Sequence, residues 1–313
     1  MERYLVTGGA GFIGSHIVRT LLEQGAFVRV LDNFSSGKRE NLEGLADSKN
    51  GSRFEVLEGD VRDASKVADA VRDIEIIFHE AAFVSVPESM ERPQDCFDVN
   101  ISGTSTLFEA ARKAGVRRAV IASSAAVYGD SDALPLVEDT PLRPMSPYAV
   151  SKRVDEMYAA LYTQSFGLEV AALRYFNVYG PRQRPDSMYA AAVPIFIRRL
   201  RDGKPVTIFG DGGQTRDLIF VGDVVRANLI ASKHPAAAGQ IFNICTGAET
   251  RILDLVNVLY ELFPKTPKPI FDAPRAGDIY KSLGSPGKAE KVIGFKAQTS
   301  LADGLKETVE WMQ

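Results

Sequence analysis

Arg3-Tyr4-Leu5-Val6-Thr7-Gly8-Gly9-Ala10-Gly11-Phe12-Ile13-Gly14 is a short apolar run that breaks into a glycine turn and passes directly into the helical spacing Ile13, Ile17, Val18, Leu21, Leu22. Strand, turn and helix follow one another without a linker. Glycines at 8, 11 and 14 permit a tight turn, the approach of backbone to a pyrophosphate, and close helix-strand packing, with the helix N-terminus facing the phosphates. A second strand, residues 27–31, ends at Asp32, whose carboxylate can accept from the ribose hydroxyls of an adenosine and would repel a 2′-phosphate. This favours NAD over NADP, although the basic Lys38 and Arg39 follow closely.

The alternation continues along the chain. Beyond the polar connection 33–52, strands are expected at 53–57, 74–78, 119–123 and 169–175, and helices at 64–71, 93–114 and from Pro147 to about Phe166. Such a pattern builds an α/β fold of Rossmann type, a doubly wound parallel sheet with ligands at the carboxyl ends of its strands. Ala81 and Ala82 end one strand, and their small side chains let backbone lie against a flat cofactor. Ser123 and Ser124 end another, where serines serve as loop caps unless partners converge on them.

Ser146-Pro147-Tyr148-Ala149-Val150-Ser151-Lys152 opens the long helix, with Ser146 as N-cap and Pro147 in the first turn. Tyr148 and Lys152 stand four apart and share a helix face, so an ammonium can lie near a phenol oxygen. A phenol that ordinarily titrates near ~10 is brought by such a cation toward the range of a useful general base. Taken alone, the same spacing also describes an ordinary surface helix.

With 313 residues, 45% apolar and 25% charged, the chain can bury a substantial core. A formal net charge of −3 supplies no global basic field, which argues against nucleic acid or an anionic membrane as partner. Two distant cysteines, Cys96 and Cys245, and three scattered histidines predict no disulfide framework and no metal site. No apolar stretch approaches the roughly 20 residues of a membrane span. The expected location is a reducing cytoplasm.

A boundary is expected near Gly180, dividing a cofactor-binding domain (1–180, with returning segments in about 215–246) from a smaller α/β substrate domain (181–313). In that last part a helix is expected at 190–201, strands at 206–209, 218–221 and 240–245, and helices at 223–232 and 252–262, the last two strands returning to the main sheet. Arg216 and Arg275, from separate segments, could hold a diphosphate while Asp278 accepts from ribose hydroxyls; on composition alone, ordinary surface ion pairs are the better account of them.

Gly8-x-x-Gly11-x-x-Gly14, Gly59-Asp60-Val61, Ala81-Ala82, Asn100, Ser123-Ser124, Tyr148-x-x-x-Lys152 and Arg174-Tyr175-Phe176-Asn177, in this order, resemble an extended short-chain dehydrogenase/reductase over essentially the whole chain. Within that superfamily the chain is most similar to nucleotide-sugar 4-epimerases of the UDP-glucose and UDP-N-acetylglucosamine type. The resemblance implies Tyr148 as acid/base, Lys152 on the nicotinamide ribose and the tyrosine, and Ser124 on the sugar O4. It implies an NAD site that includes Phe12, Ile13, Asp32, Asn33, Ser35, Ser36, Gly37, Asp60, Val61, Asn100, Ser123, Tyr175 and Val178. For a UDP-sugar it implies Val84, Ser85, Asn177 on the diphosphate, Ala192, Val193, Thr207 and Phe209 near the uridine, and Arg216, Arg275 and Asp278.

The resemblance also places Ser282 beside the 2-substituent of the hexose, where a tyrosine closes the pocket to N-acetyl groups and a small residue admits them. UDP-GlcNAc and UDP-GalNAc are therefore expected as substrates, with UDP-glucose and UDP-galactose. Ala125 and Ala126 stand where similar dehydratases and decarboxylases carry an acid, which favours oxidation and re-reduction at one carbon. Other reactions on the same scaffold (a UDP-glucuronate 4-epimerase, a dehydratase, a reductase) remain alternatives, as does a non-catalytic NAD-binding module. A homodimer through the 93–114 and 148–166 helices is expected from the same likeness.

Overall fold

The computed structural model describes residues 1–46, 51–184, 192–263, 267–274 and 279–312. Its first half runs β1 (Arg3–Thr7), α1 (Phe12–Glu23), β2 (Phe27–Asp32), β3 (Phe54–Glu58), α2 (Ala64–Ala70), β4 (Ile76–His79), α3 (Val86–Glu91) and α4 (Pro93–Cys96). A π turn (Phe97–Ser102) leads into α5 (Gly103–Ala114), followed by β5 (Arg118–Ser124), α6 (Pro147–Phe166) and β6 (Glu169–Tyr175). The second half comprises β7 (Asn177–Tyr179), α7 (Ala192–Arg201), β8 (Thr207–Phe209), β9 (Thr215–Arg216), β10 (Leu218–Phe220), α8 (Val221–Lys233), β11 (Ile241–Ile244) and β12 (Thr250–Arg251). It ends with α9 (Ile252–Leu262), β13 (Ile270–Asp272), β14 (Lys281–Ser282), α10 (Gly287–Ile293) and α11 (Leu301–Met312). Among the described residues no helix is long and apolar enough to cross a membrane.

The main sheet has seven strands in the order β3-β2-β1-β4-β5-β6-β11, every pairing parallel. Strands buried on both faces need continuous apolar runs, and β1 and β4 have them; β2 is interrupted by Arg29, which is satisfied by Glu55 and the Ala70 and Arg72 carbonyls. One core packs around Ile17, Leu21, Val224 and Phe242, and a second around Val67, Leu107, Phe108 and Ala159, so helices cover both faces. Strand order reverses between β1 and β4. Such a reversal marks the ligand-binding crevice of doubly wound sheets, at the carboxyl ends of the strands.

Two expectations are corrected. Of the two strands expected to rejoin the sheet, β11 does so beside β6, whereas β10 pairs with β7 in a separate two-stranded ribbon. The Asp217 carbonyl accepts from the Asn177 amide at 3.1 Å and ties β10 to the extension of β6 rather than to the sheet. The helix expected over 93–114 is interrupted by the π turn. That widened turn carries Asn100 inward, where Oδ1 accepts from the Phe83 amide (2.7 Å) and Nδ2 donates to the Phe83 carbonyl (3.1 Å) and to Ser151 Oγ (2.8 Å).

A buried ion pair joins the site-bearing elements. Arg174 on β6, 1% exposed, donates from Nε and Nη2 to the two carboxylate oxygens of Glu156 on α6 at 2.7 and 2.9 Å. Its Nη1 reaches the Tyr128 hydroxyl (2.8 Å) and the Glu138 carbonyl (3.0 Å). Ser123 at the end of β5 donates to the same Glu156 at 2.7 Å, and Tyr128 donates to Asn243 of β11 at 2.7 Å. Breaking such a pair strands the other charge, at a cost of about 3–5 kcal/mol. Arg174→Met should lower the unfolding free energy in urea by about that amount, and adding Glu156→Gln should recover part of it; a loss below about 1 kcal/mol would show that the pair does not hold these elements.

Candidate active site

The glycine turn after β1 is shaped by backbone contact. Gly8 lies at φ +68°, and a Cβ there would fall 2.6 Å from the Ala81 nitrogen after β4, while a Cβ on Gly14 would strike the Gly8 carbonyl. Gly11 is the N-cap of α1 and offers no side-chain acceptor to the first-turn N–H groups, so the amides of Phe12 and Ile13 remain for an anion. Asp32, at the end of β2, accepts from the amides of Ala10 (2.9 Å) and Phe34 (2.8 Å) and so braces the turn it borders. Burial raises its pKa, and those two N–H bonds oppose the rise.

Around this turn lie the other expected cofactor residues. Gly37 packs against Ala10 and Asp32, and Ser35 and Ser36 are exposed beside it. Asn33 donates to Asp60 at 2.7 Å, and Arg62 clamps Asp60 with two bonds of 2.8 Å; these bonds hold the Asp60 carboxyl far below the usual range, Arg62 contributing most. Val61 is buried, and Val178 is packed between two cores. A turn with no room for side chains, uncapped amides and a carboxylate at the end of the second strand fit a dinucleotide.

The long helix begins as its sequence requires: Ser146 Oγ accepts from the Ala149 amide at 3.1 Å, and Pro147 occupies the first turn. Tyr148 is half-buried, with its amide donating to Ser89 of α3 at 3.2 Å. Lys152, only 3% exposed, has its Nζ 3.5 Å from Asp155 Oδ2. At the end of β5, Ser124 Oγ accepts from Ala126 at 3.1 Å, which leaves its proton to be donated elsewhere. Ser123 is committed instead to Glu156.

Charges are concentrated here with little water. Burial pushes the Glu80 carboxyl up to about 7, opposed by the Tyr175 hydroxyl, which donates to it at 2.8 Å, and by the Lys152 cation. Tyr175 is itself raised well above its ordinary value, first by burial and then by Glu80, with Tyr148 also in its field. His79 is pulled down to about 3 by burial and by Lys152, so it is neutral at physiological pH. Sequence reading missed Glu80, Asp155 and Glu156 as members of the site. The acids three and four residues after Lys152 resemble a solvated helix face until the helix is placed on the sheet.

The substrate residues expected in the second half are partly brought together. Ser282 on β14 stands in register with Arg216 on β9, and the Asn177 amide group donates to the Asp217 carbonyl at 3.0 Å. Thr207 and Phe209 border β13. Val193 is 2% exposed and faces the second-half core, with Ala192 half-buried before it. Near the crevice Val84 is exposed and Ser85 caps α3 through the Glu88 amide. Arg275 and Asp278 lie outside the described residues. Among the described residues no group of three or more His, Cys, Asp or Glu could hold a metal ion.

Residues 4–245 match the model of the NAD dependent epimerase/dehydratase family. The chain is 42% identical over 313 residues to the UDP-glucose 4-epimerase of Mycolicibacterium smegmatis, covering 99% of this chain and 98% of that one. Among solved structures it is similar to the UDP-glucose 4-epimerase of Thermotoga maritima with UDP-glucose (TM-score 0.92, 39% identity, 99% and 98% of the two chains). It is also similar to the UDP-N-acetylglucosamine 4-epimerase of Methanobrevibacter ruminantium in complex with UDP-N-acetylmuramic acid (TM-score 0.93, 35% identity, 99% and 98%). The chain belongs to the NAD-dependent epimerase/dehydratase family, as an NAD-using nucleotide-sugar enzyme of the 4-epimerase/dehydratase type.

Proposed function

We propose that this protein is a 4-epimerase of UDP-hexoses, acting on UDP-GlcNAc and UDP-GalNAc and also on UDP-glucose and UDP-galactose. The observation that carries the reading is that Tyr148 and buried Lys152 occupy the first turns of α6, a helix that the Ser123–Glu156 bond ties to the end of β5, where Ser124 follows. Tyr148 takes the proton of the sugar 4-hydroxyl, Lys152 favours the phenolate by its charge, and Ser124 donates its free proton toward O4. NAD, when bound, would supply the hydride acceptor and donor for C4 of the sugar. Gly8, Gly11, Gly14 and the amides of Phe12 and Ile13 hold its pyrophosphate, Asp32 and Asn33 its adenosine ribose, and Ala81 and Ala82 its flat ring. Asp60, Val61, Asn100 and Val178 complete that wall.

The UDP group is assigned to Asn177, Thr207, Phe209 and Arg216, joined by Arg275 and Asp278. Turning the sugar about its diphosphate exposes the second face. The short side chains of Ala125 and Ala126 after Ser124 support epimerisation over elimination. Glu80, by contrast, is engaged with Tyr175. Ser282, half-buried opposite Arg216, supports a pocket open to an N-acetyl group. The Methanobrevibacter relative supports that arm of specificity and the Thermotoga relative the plain-hexose arm.

We also infer a homodimer. On α6, Val150, Met157 and Leu161 share one face and are 44%, 57% and 46% exposed, with Phe97 of the π turn at 48%. Light scattering at working concentration should read two copies, and a monomer would exclude the pairing.

Activity is tested by incubating the purified protein, without added cofactor, with UDP-GlcNAc and with UDP-glucose, and resolving the products by proton NMR. The 4-epimers are expected from both. Tyr148→Phe should lower turnover by about 10²–10⁴-fold with NAD still bound, since only the proton carrier is lost; near-normal turnover would remove Tyr148 from the chemistry. Ser282→Tyr should abolish conversion of the N-acetylated pair while keeping the plain hexoses, and equal loss of both would defeat the pocket assignment.

A further inference from the structure

Beneath Lys152 lies a row of polar side chains that contact one another and almost no water. Lys152 faces Asp155, which is 2% exposed and stands beside Thr104 on α5, whose hydroxyl helps to hold its carboxyl down against burial. Thr104 Oγ1 lies 3.0 Å from His79 Nε2 on β4, and His79 Nδ1 lies 2.7 Å from Thr7 Oγ1 at the end of β1. Thr7 in turn accepts from the Ala81 amide at 3.3 Å. Thr104, His79 and Thr7 are 1%, 3% and 0% exposed, so the chain must satisfy itself.

Donor and acceptor counting gives the chain a direction. An ionised carboxylate only accepts, so Asp155 accepts from the Lys152 ammonium and is assigned the neighbouring Thr104 hydroxyl as its second donor. With its own proton spent, Thr104 accepts from His79 Nε2–H. Neutral His79 then accepts at Nδ1 from the Thr7 hydroxyl, whose oxygen accepts from Ala81. Every link is used once, and only the Nε2–H tautomer fits. Protonating Asp155 reverses its bond to Thr104 and with it the tautomer.

We propose that Asp155 is the positioning residue for Lys152, and that through Thr104, His79 and Thr7 it couples the Lys152 ammonium to the backbone of Ala81. The functional part of this inference rests on Lys152 being the cation that serves Tyr148. Asp155 holds the ammonium in a dry site and sets it against the loop assigned to the flat ring of the cofactor. The groups facing Asp155 are Lys152 and Glu156 on its own helix, Thr104 on α5, and Cys96 before the π turn, with His79 behind Thr104. Burial raises the Asp155 pKa to about 6, with the Lys152 charge opposing it, so the reversal falls within reach of a pH series.

The chain has three histidines, His16, His79 and His234, so nitrogen-15 NMR of labelled protein can resolve the His79 ring. Wild-type protein at pH 7.5 should show the Nε2–H tautomer, shifting toward Nδ1–H as pH falls through about 6. In Asp155→Asn the amide carbonyl takes Lys152 and the amide N–H faces Thr104, so His79 should hold Nδ1–H at both pH values. The same variant should lose on the order of 10- to 100-fold in kcat with KM little changed, the signature of a misplaced catalytic group.

An Nδ1–H tautomer in wild-type protein at pH 7.5 overturns the chain without any variant. An unchanged tautomer in folded Asp155→Asn does the same, and an unchanged kcat overturns the positioning role. If wild-type protein shows the expected tautomers yet converts no UDP-sugar, the chain stands and the epimerase reading alone fails.

Discussion

A guanidinium without water must find its hydrogen bonds in the protein, and Arg174 finds them on three residues at once. Its pairing with Glu156 ties β6 to α6, the Tyr128 and Glu138 contacts bring in the segment after β5, and Ser123 hangs from the same carboxylate. The helix that carries Tyr148 and Lys152 is thus fixed against the strand that ends in Ser124. If the pair were lost, the helix would keep its internal bonds and its apolar contacts. What would go is its register against the strand ends, and that register sets the distances among the reactive groups. Buried ion pairs add little net stability, but the cost of separating them makes one arrangement exclusive.

The crevice itself depends on a second constraint, the absence of side chains where β1 meets β4. Gly8 and Gly14 leave backbone against backbone, with Ala81 next to them. Asp32 then turns both carboxylate oxygens toward amides of the loops around it. The result is a rigid edge with unspent N–H groups, preorganised for an anion before any ligand arrives.

Low dielectric supplies the rest of the chemistry. Lys152 is surrounded by Asp155, Glu80 and His79, all shifted by burial, and each responds to its charge. Acidic and basic partners are held in a small volume where no mobile water averages their fields. A cation placed so can act on a neighbouring phenol far more strongly than on an open helix face.

Much of this was legible in the chain. The glycine turn, the alternating strands and helices, the N-cap at Ser146 and the Tyr148–Lys152 spacing depend on local backbone preference and on periods of 2 and 3.6, which residues carry in their order. The π turn at Asn100 was not legible, because its helix pattern is unbroken and the bulge answers to Phe83 and Ser151, distant in sequence. The destination of β10 was decided by its parallel pairing with β7, the extension of β6, whose Asn177 amide also donates to the Asp217 carbonyl. Asp155 and Glu156 read as a solvated pair of acids, and only docking α6 on the sheet buries them. The sequence by itself therefore determined the elements, their α/β order and the family of the chemistry, since each is written in neighbours along the chain. The tertiary structure alone decided which charges lie in the dark together, because burial and pairing are properties of residues far apart in sequence.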